Sequence, residues 1–251
     1  MELQPKDSAL FRQAIESLKD FLPDAQLCLN AQGCTISGMD ASHVGFVRYH
    51  LAAADCKVLT VPIPLALGVP LGTVARILAS MGSTDQLVMT STETHLVITA
   101  TSEKTKKKTK GEAPLMDITV DALDIPETTY AGNLKAKTSD VAIACKEVGA
   151  FGDSLQFFMN DDGFHISAKS ELGSMTQVLE NIGDERDMEF TAEEMSKPVG
   201  FGTKYITSML KCGVSPNMSI GFDETQPMRI AFSYGTGSSL VFHLAPKMTD
   251  E

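Results

Sequence analysis

Asn30-Ala-Gln-Gly33-Cys-Thr-Ile36-Ser37 and Asn160-Asp-Asp-Gly163-Phe-His-Ile166-Ser167 are two writings of one phrase, 130 residues apart. Gly72-Thr73 returns at the same offset as Gly202-Thr203. The offset is about half of the 251 residues and a usual size for a whole domain. It is too long for a stacked short repeat, whose units run about 20–50 residues. Each copy also places a helix-like stretch, 9–21 and 140–151, ahead of the phrase. The chain reads as a duplicated domain.

Four segments have the period of short amphipathic helices, two in each half. In 9–21, Leu10, Phe11, Ala14, Ile15 and Leu18 share one face, while Arg12 and Lys19 lie seven apart on the other. Over 72–81, Val74, Ile77, Leu78 and Met81 turn inward and Arg76 outward. In the third, Val141, Ala144, Cys145 and Val148 face in, with Lys146 toward the polar side. The fourth, 204–211, buries Tyr205, Ile206 and Met209 and again sets two lysines, Lys204 and Lys211, seven apart.

Most of the remainder alternates or is β-branched. Strands are expected at 26–30, 34–37, 44–51, 86–90, 95–101, 155–159, 164–168, 218–222, 228–233 and 240–244, several separated by Asn/Asp/Gly turns. Each half is therefore α+β, an antiparallel sheet with two helices on one face. The expected division is a first domain over 1–114, a connector over 115–131 and a second domain over 132–251. The connector is acidic, with Pro126 near its end. Leu123, Ile125 and Pro126 are apolar on a segment expected to be exposed, which points to a binding edge as readily as to a plain linker.

Composition narrows the function classes. The chain is 43% hydrophobic but has no apolar run of the roughly 18 residues that cross a bilayer. Its first residues lack the basic start and apolar stretch of a secretory signal, so a soluble intracellular protein without a membrane partner is expected. Five scattered cysteines without a Cys-x-x-Cys pair suit reduced, mostly buried thiols. The net charge is −11, and setting aside the five lysines within 104–110 leaves 16 basic against 32 acidic side chains. Such a body repels nucleic acid, so any DNA role needs a local basic surface or a device other than bulk attraction.

No motif supports catalysis, and no cofactor or metal is expected. Ser42 and His43, read as neighbours in a strand, would point to opposite faces. Gly235-Thr-Gly237-Ser-Ser lacks the Gly-Lys-Ser/Thr of a phosphate loop and reads as a hairpin turn. His43 and His50 have no ligand pattern around them. With no Trp and 6% aromatic residues, a base-stacking platform is poorly supported.

Four stretches then become recognisable: Met39-Asp40-Ala-Ser42-His43-Val44; Leu115-Met116-Asp117 leading to Ile125-Pro126-Glu127; Glu171-Leu172-Gly173; and Leu244-Ala245-Pro246-Lys247. In order and spacing they resemble the proliferating cell nuclear antigen family of DNA sliding clamps, from the first helix to the last residues. The resemblance implies a duplicated clamp domain and a homotrimeric, head-to-tail ring, with sheets outside and short helices lining the hole. Arg12, Lys19, Arg76, Lys146, Lys204 and Lys211 would then face encircled duplex DNA without regard to sequence.

The resemblance also implies a partner pocket formed by Met39, His43, Val44, Phe46, Leu123, Ile125, Pro126, Pro227, Met228, Ala245 and Pro246. DNA polymerase, flap endonuclease and DNA ligase would dock there through short peptide motifs, in replication and repair within the nucleus, after a clamp-loader ATPase opens the ring. Several residues depart from the family pattern. Ile143, Ala79 and Ala150 stand where basic or His residues are usual, Asp161 stands at the usual ubiquitin-acceptor lysine, and Phe46 and His243 alter the pocket wall. The lysines of 104–110 fit a solvated hairpin loop, a nuclear-import signal or a phosphate contact. The alternative reading is a subunit of a heterotrimeric or checkpoint-type clamp.

Overall fold

The first half of the chain runs β1 (Glu2–Pro5), α1 (Ser8–Leu18), β2 (Asp24–Asn30), β3 (Gly33–Met39), β4 (Gly45–Ala52), β5 (Cys56–Thr60), β6 (Leu65–Pro70), α2 (Leu71–Ala79), β7 (Gln86–Ser91), β8 (His95–Thr101) and β9 (Lys108–Pro114). The second half repeats that order as β10 (Gly132–Lys137), α3 (Thr138–Val148), β11 (Ser154–Asn160), β12 (Gly163–Ser170), β13 (Gly173–Leu179), β14 (Glu189–Ala192), β15 (Val199–Gly202), α4 (Thr203–Leu210), β16 (Asn217–Phe222), β17 (Met228–Tyr234) and β18 (Ser238–Leu244). The computed structural model describes residues 1–118, 125, 128–171, 173–180, 189–192, 195 and 197–247. The 130-residue offset holds to the residue for α1 and α3, β2 and β11, and β9 and β18.

The repeated phrase forms the same hairpin twice. Asn30 Oδ1 accepts from Gln32 N at 2.8 Å, and Asn160 Oδ1 from Asp162 N at 3.1 Å, so each Asn folds its own turn. Gly33 and Gly163 close the turns at φ +150° and +145°. A Cβ at either would stand 2.1 Å from Leu51 O or 2.6 Å from Leu179 O, so both positions require glycine.

The chain divides into two compact units, residues 1–124 with 233–240 and residues 125–232 with 241–251. In the first, one sheet has the order β5-β1-β7-β8-β9, and a second layer runs β4-β3-β2-β6. α1 and α2 pack on each other. α1 starts where the Asp7 carboxylate accepts from Ala9 N and Leu10 N, both at 2.9 Å. It buries Phe11, Ala14, Ile15 and Leu18, and α2 buries Leu71, Val74, Ala75 and Leu78. Each large aliphatic or aromatic side chain so buried contributes about 1.5–3 kcal/mol.

In the second unit the orders are β13-β12-β11-β15 and β14-β10-β16-β17. Phe157 sits at the centre of its core, with ring centroids at 5.2 Å to Phe164, 5.9 Å to Phe201 and 6.1 Å to Phe222. α3 and α4 pack on each other as α1 and α2 do.

Three sequence expectations need correction. β1, β5, β6, β9, β10, β13, β14 and β15 were not anticipated; β9, for example, carries Lys, Thr, Gly and Pro rather than an apolar alternation. The lysine-rich stretch is a turn only as far as Lys107, with Lys108 and Lys110 already on β9. Ser42 and His43 lie in a tight turn before β4, not in a strand, and His43 has φ +56°. The cause of that turn is Asp40.

Candidate functional site

Within each unit the basic residues singled out above ride on the helices or their ends. Arg76 on α2, Lys146 on α3, Lys204 on α4 and Lys211 at the α4 C-cap are exposed. Lys19 caps α1, is one-third exposed and pairs with Glu16. Lys19 and Lys211 close helix C-termini, where a cation is favoured by the helix dipole. Arg12 is different. Its Nη1 donates to Met81 O at 3.0 Å, tying α1 to the end of α2, and its Nε and Nη2 are buried with no protein acceptor. Burial draws the guanidinium pKa down, with Asp85 opposing.

The Met39–Val44 stretch is organised by a buried carboxylate. Asp40 accepts from Ser42 N at 3.1 Å, Val44 N at 2.8 Å and Gly45 N at 2.6 Å. Those bonds hold the turn that exposes His43 and leaves Met39 and Val44 half-buried. Phe46, the cross-strand partner of Met39, is 4% exposed and lies under the Arg48 guanidinium at 5.6 Å. In the second unit Asp223 does similar work, accepting from Thr225 N at 2.7 Å and Gln226 N at 2.8 Å ahead of exposed Pro227. Met228 is fully buried and belongs to the core of its unit.

The tail is anchored as well. Lys247 N donates to Gly200 O at 2.7 Å, and Lys247 Nζ lies 3.4 Å from a carboxylate oxygen of Asp153. This holds half-buried Ala245 and Pro246 against their own unit.

Two glycines seat the ends of the connector. Leu115 N donates to Thr94 O at 2.8 Å, Met116 N to Gly68 O at 2.9 Å, and Gln26 Nε2 to Ile118 O at 3.2 Å. A Cβ on Gly68 would stand 2.3 Å from Met116 O. At the other end Tyr130 lies over Gly221, where a Cβ would meet its ring at 2.4 Å, and Asn133 Nδ2 donates to Tyr130 O at 2.7 Å. Ile125 is half-buried; Leu123 and Pro126 lie outside the described residues.

Comparison with known proteins follows the same division. Residues 1–124 match the family model for the proliferating cell nuclear antigen N-terminal domain, and residues 124–247 match that for its C-terminal domain. The chain belongs to this family of sliding clamps. It is 26% identical to the proliferating cell nuclear antigen of Chaetomium thermophilum, over 100% of this chain and 99% of that protein. The duplicated α+β domain expected from the repeated phrase, and the clamp architecture that the resemblance implies, are the family's own.

Sequence reasoning did not find Asp40, Asp223, Gly68 or Gly221 as the residues that shape these surfaces. The signals were present for two of them. Asp40-x-Ser42 and Asp223-x-Thr225 are Asx-turn patterns. Gly68 and Gly221 sit in strands at ordinary φ, and only the neighbour passing over each shows why a side chain is excluded.

Proposed function

We propose that the chain acts in the nucleus as a homotrimeric ring that encircles duplex DNA and tethers replication and repair proteins to it. The observation that carries this reading is a pair of free edges. Among the described residues β9 has β8 on one side and no strand on the other, and β13 likewise has only β12. One edge lies in the first unit and the other in the second. Pairing β9 of one copy with β13 of the next is a heterologous contact, which forms rings when the rotation closes. Exposed apolar residues support the same edge: Val178 on β13, and Ile143 on α3, which packs against β13, are 38% and 56% exposed.

In such a ring the helix layer carries Lys19, Arg76, Lys146, Lys204 and Lys211 toward phosphates, while Arg12, turned onto Met81 O, braces α1 instead. The acidic remainder limits tight binding elsewhere, and threading supplies retention that charge does not. The family's peptide pocket would draw on Met39, His43, Val44, Ile125, Pro227, Ala245 and Pro246, whereas Phe46 and Met228 are buried in the cores of their own units. DNA polymerase, flap endonuclease and DNA ligase are the expected partners, with a clamp-loader ATPase to open the ring.

Light scattering on the purified chain tests assembly, and a mass of three 27.0 kDa chains is expected. A persistent single chain would point to a heterotrimeric clamp instead. Capture by an immobilised Gln-x-x-Leu-x-x-Phe-Phe peptide, abolished by Ile125→Arg, tests tethering. Failure of the unaltered chain to bind removes the pocket from this account.

A further inference from the structure

The β8–β9 hairpin carries an ordered cluster of cations. Ser102 N donates to Lys107 O and Lys106 N to Ser102 O, both at 2.9 Å, and Lys106 adopts φ +57°. Lys104, Lys106, Lys107 and Lys108 are exposed and make no side-chain hydrogen bond or ion pair among the described residues, whereas Lys110 pairs with Glu112. These four lysines, with Glu103 of the same turn accepting from Gln86 Nε2, form a net positive patch at the start of edge strand β9 on a chain with 32 acidic side chains.

A negative patch of three carboxylates closes edge strand β13. Glu180 follows its last residue, and the β11–β12 turn lies against it, because a Cβ at Gly163 would be 3.1 Å from Glu180 Cα. Asp161 and Asp162 of that turn are exposed, as is Glu180, and none has a cationic partner among the described residues. An antiparallel approach of β9 to β13 brings the start of one strand to the end of the other, and so brings these two patches together. A parallel approach would set the lysine turn beside Lys169 instead.

Resting on the head-to-tail reading above, we propose that the lysine turn of one copy seats against Asp161, Asp162 and Glu180 of the next, and that this charge pair fixes the direction of the strand contact. A nucleic-acid strand fits the lysines less well. Gly111 turns its Cβ direction onto Ile77 of α2, so by strand alternation Lys108 and Lys110 lie on the sheet face away from that helix and its Arg76. The cluster therefore lies apart from the helix layer that meets DNA in the ring.

Charge reversal tests this in the full chain. Lys106→Glu, Lys107→Glu and Lys108→Glu together, or Asp161→Lys, Asp162→Lys and Glu180→Lys together, should each raise the dissociation midpoint about tenfold, as expected for a few exposed ion pairs. Combining both sets in one chain should restore assembly. The unaltered protein should dissociate more readily at about 500 mM than at about 50 mM KCl, as screening shortens the reach of the charges. Unchanged midpoints in both triple variants, or a combined variant no better than either, overturn the inference while leaving the ring intact. So does a lysine variant that assembles normally but binds duplex more weakly, since the turn then faces nucleic acid. An unaltered chain that never assembles defeats the head-to-tail reading itself.

Discussion

Removing the Asp55 carboxylate should release the hairpin that follows β17. Asp55 ends a single 3₁₀ turn, Ala53–Asp55, and accepts four hydrogen bonds from the hairpin: Thr236 N at 2.7 Å, Gly237 N at 3.2 Å, Ser238 N at 3.2 Å and Ser238 Oγ at 2.6 Å. Gly235 allows this approach with φ +59°, and a Cβ there would lie 2.4 Å from the carboxylate. In Asp55→Ala the donors of Ser238 are left buried, while those of Thr236 and Gly237 can recover water. At about 1–3 kcal/mol for each of these two buried donors without a partner, the loss is about 2–6 kcal/mol. Urea unfolding should show a lower midpoint, and hydrogen exchange should accelerate first at residues 236–238.

The pH dependence has a defined sign. Burial raises the Asp55 pKa, but the hydrogen bonds from Ser238, Thr236 and Gly237 outweigh it and hold the group below its ordinary 3.8. A depressed folded-state pKa gives stability that is complete above the unfolded value and lost as pH falls through the folded one. The gap between the unaltered chain and Asp55→Ala should thus be level from neutral pH to about 5 and narrow below about 4. A gap under about 1 kcal/mol at neutral pH, with the 236–238 amides still protected, would refute the reasoning.

Gly68→Val should force Met116 off β6, because the new Cβ would stand 2.3 Å from Met116 O and 2.9 Å from Ile118 Cγ1. Faster amide exchange at Met116 and weaker capture by the peptide, with the chain otherwise folded, are expected. Lys204→Glu with Lys211→Glu should make the salt dependence of duplex binding shallower by about 0.9 for each phosphate no longer neutralised, leaving peptide capture unchanged. Arg12→Ala should lower the melting temperature more than Lys204→Ala does, because only Arg12 spans to Met81 O; the cost is about 1 kcal/mol. Equal melting temperatures for those two variants would mean that the Arg12 hydrogen bond does not stabilise the helix pair.

The repeat and the four helices were legible because each is a local pattern. Asn30 to Gly33 specifies its own turn, and a helix must keep its core-facing stripe apolar at period 3.6 whatever packs on it. That constraint leaves the opposite stripe free, so Arg76, Lys146, Lys204 and Lys211 stood out as exposed charges. Arg12 belongs to the same stripe by spacing, yet its guanidinium turns to a carbonyl 69 residues away, which no local pattern reports. The turn at Gly235 was legible as a hairpin, but Asp55, which accepts its hydrogen bonds from 181 residues away, was hidden for the same reason.

The edge strands pose a deeper problem. A central strand is recognisable because both neighbours and a helix layer demand apolar side chains, whereas an edge strand is constrained on fewer sides. β9 is Lys-Thr-Lys-Gly-Glu-Ala-Pro and only Ala113 is buried, so it reads as loop. β13 has no buried position at all. Strands of this composition are stable here because β8 and β12 supply their hydrogen bonds over seven residue pairs each. Among the described residues no strand pairs with their other edges, and solubility then depends on which partners charge admits. Unpaired lysines at one edge and unpaired carboxylates at the other would admit a copy in one direction and repel like edges, β9 from β9 and β13 from β13. The same charges that made 104–110 look like a solvated loop would thus direct the association that closes the proposed ring.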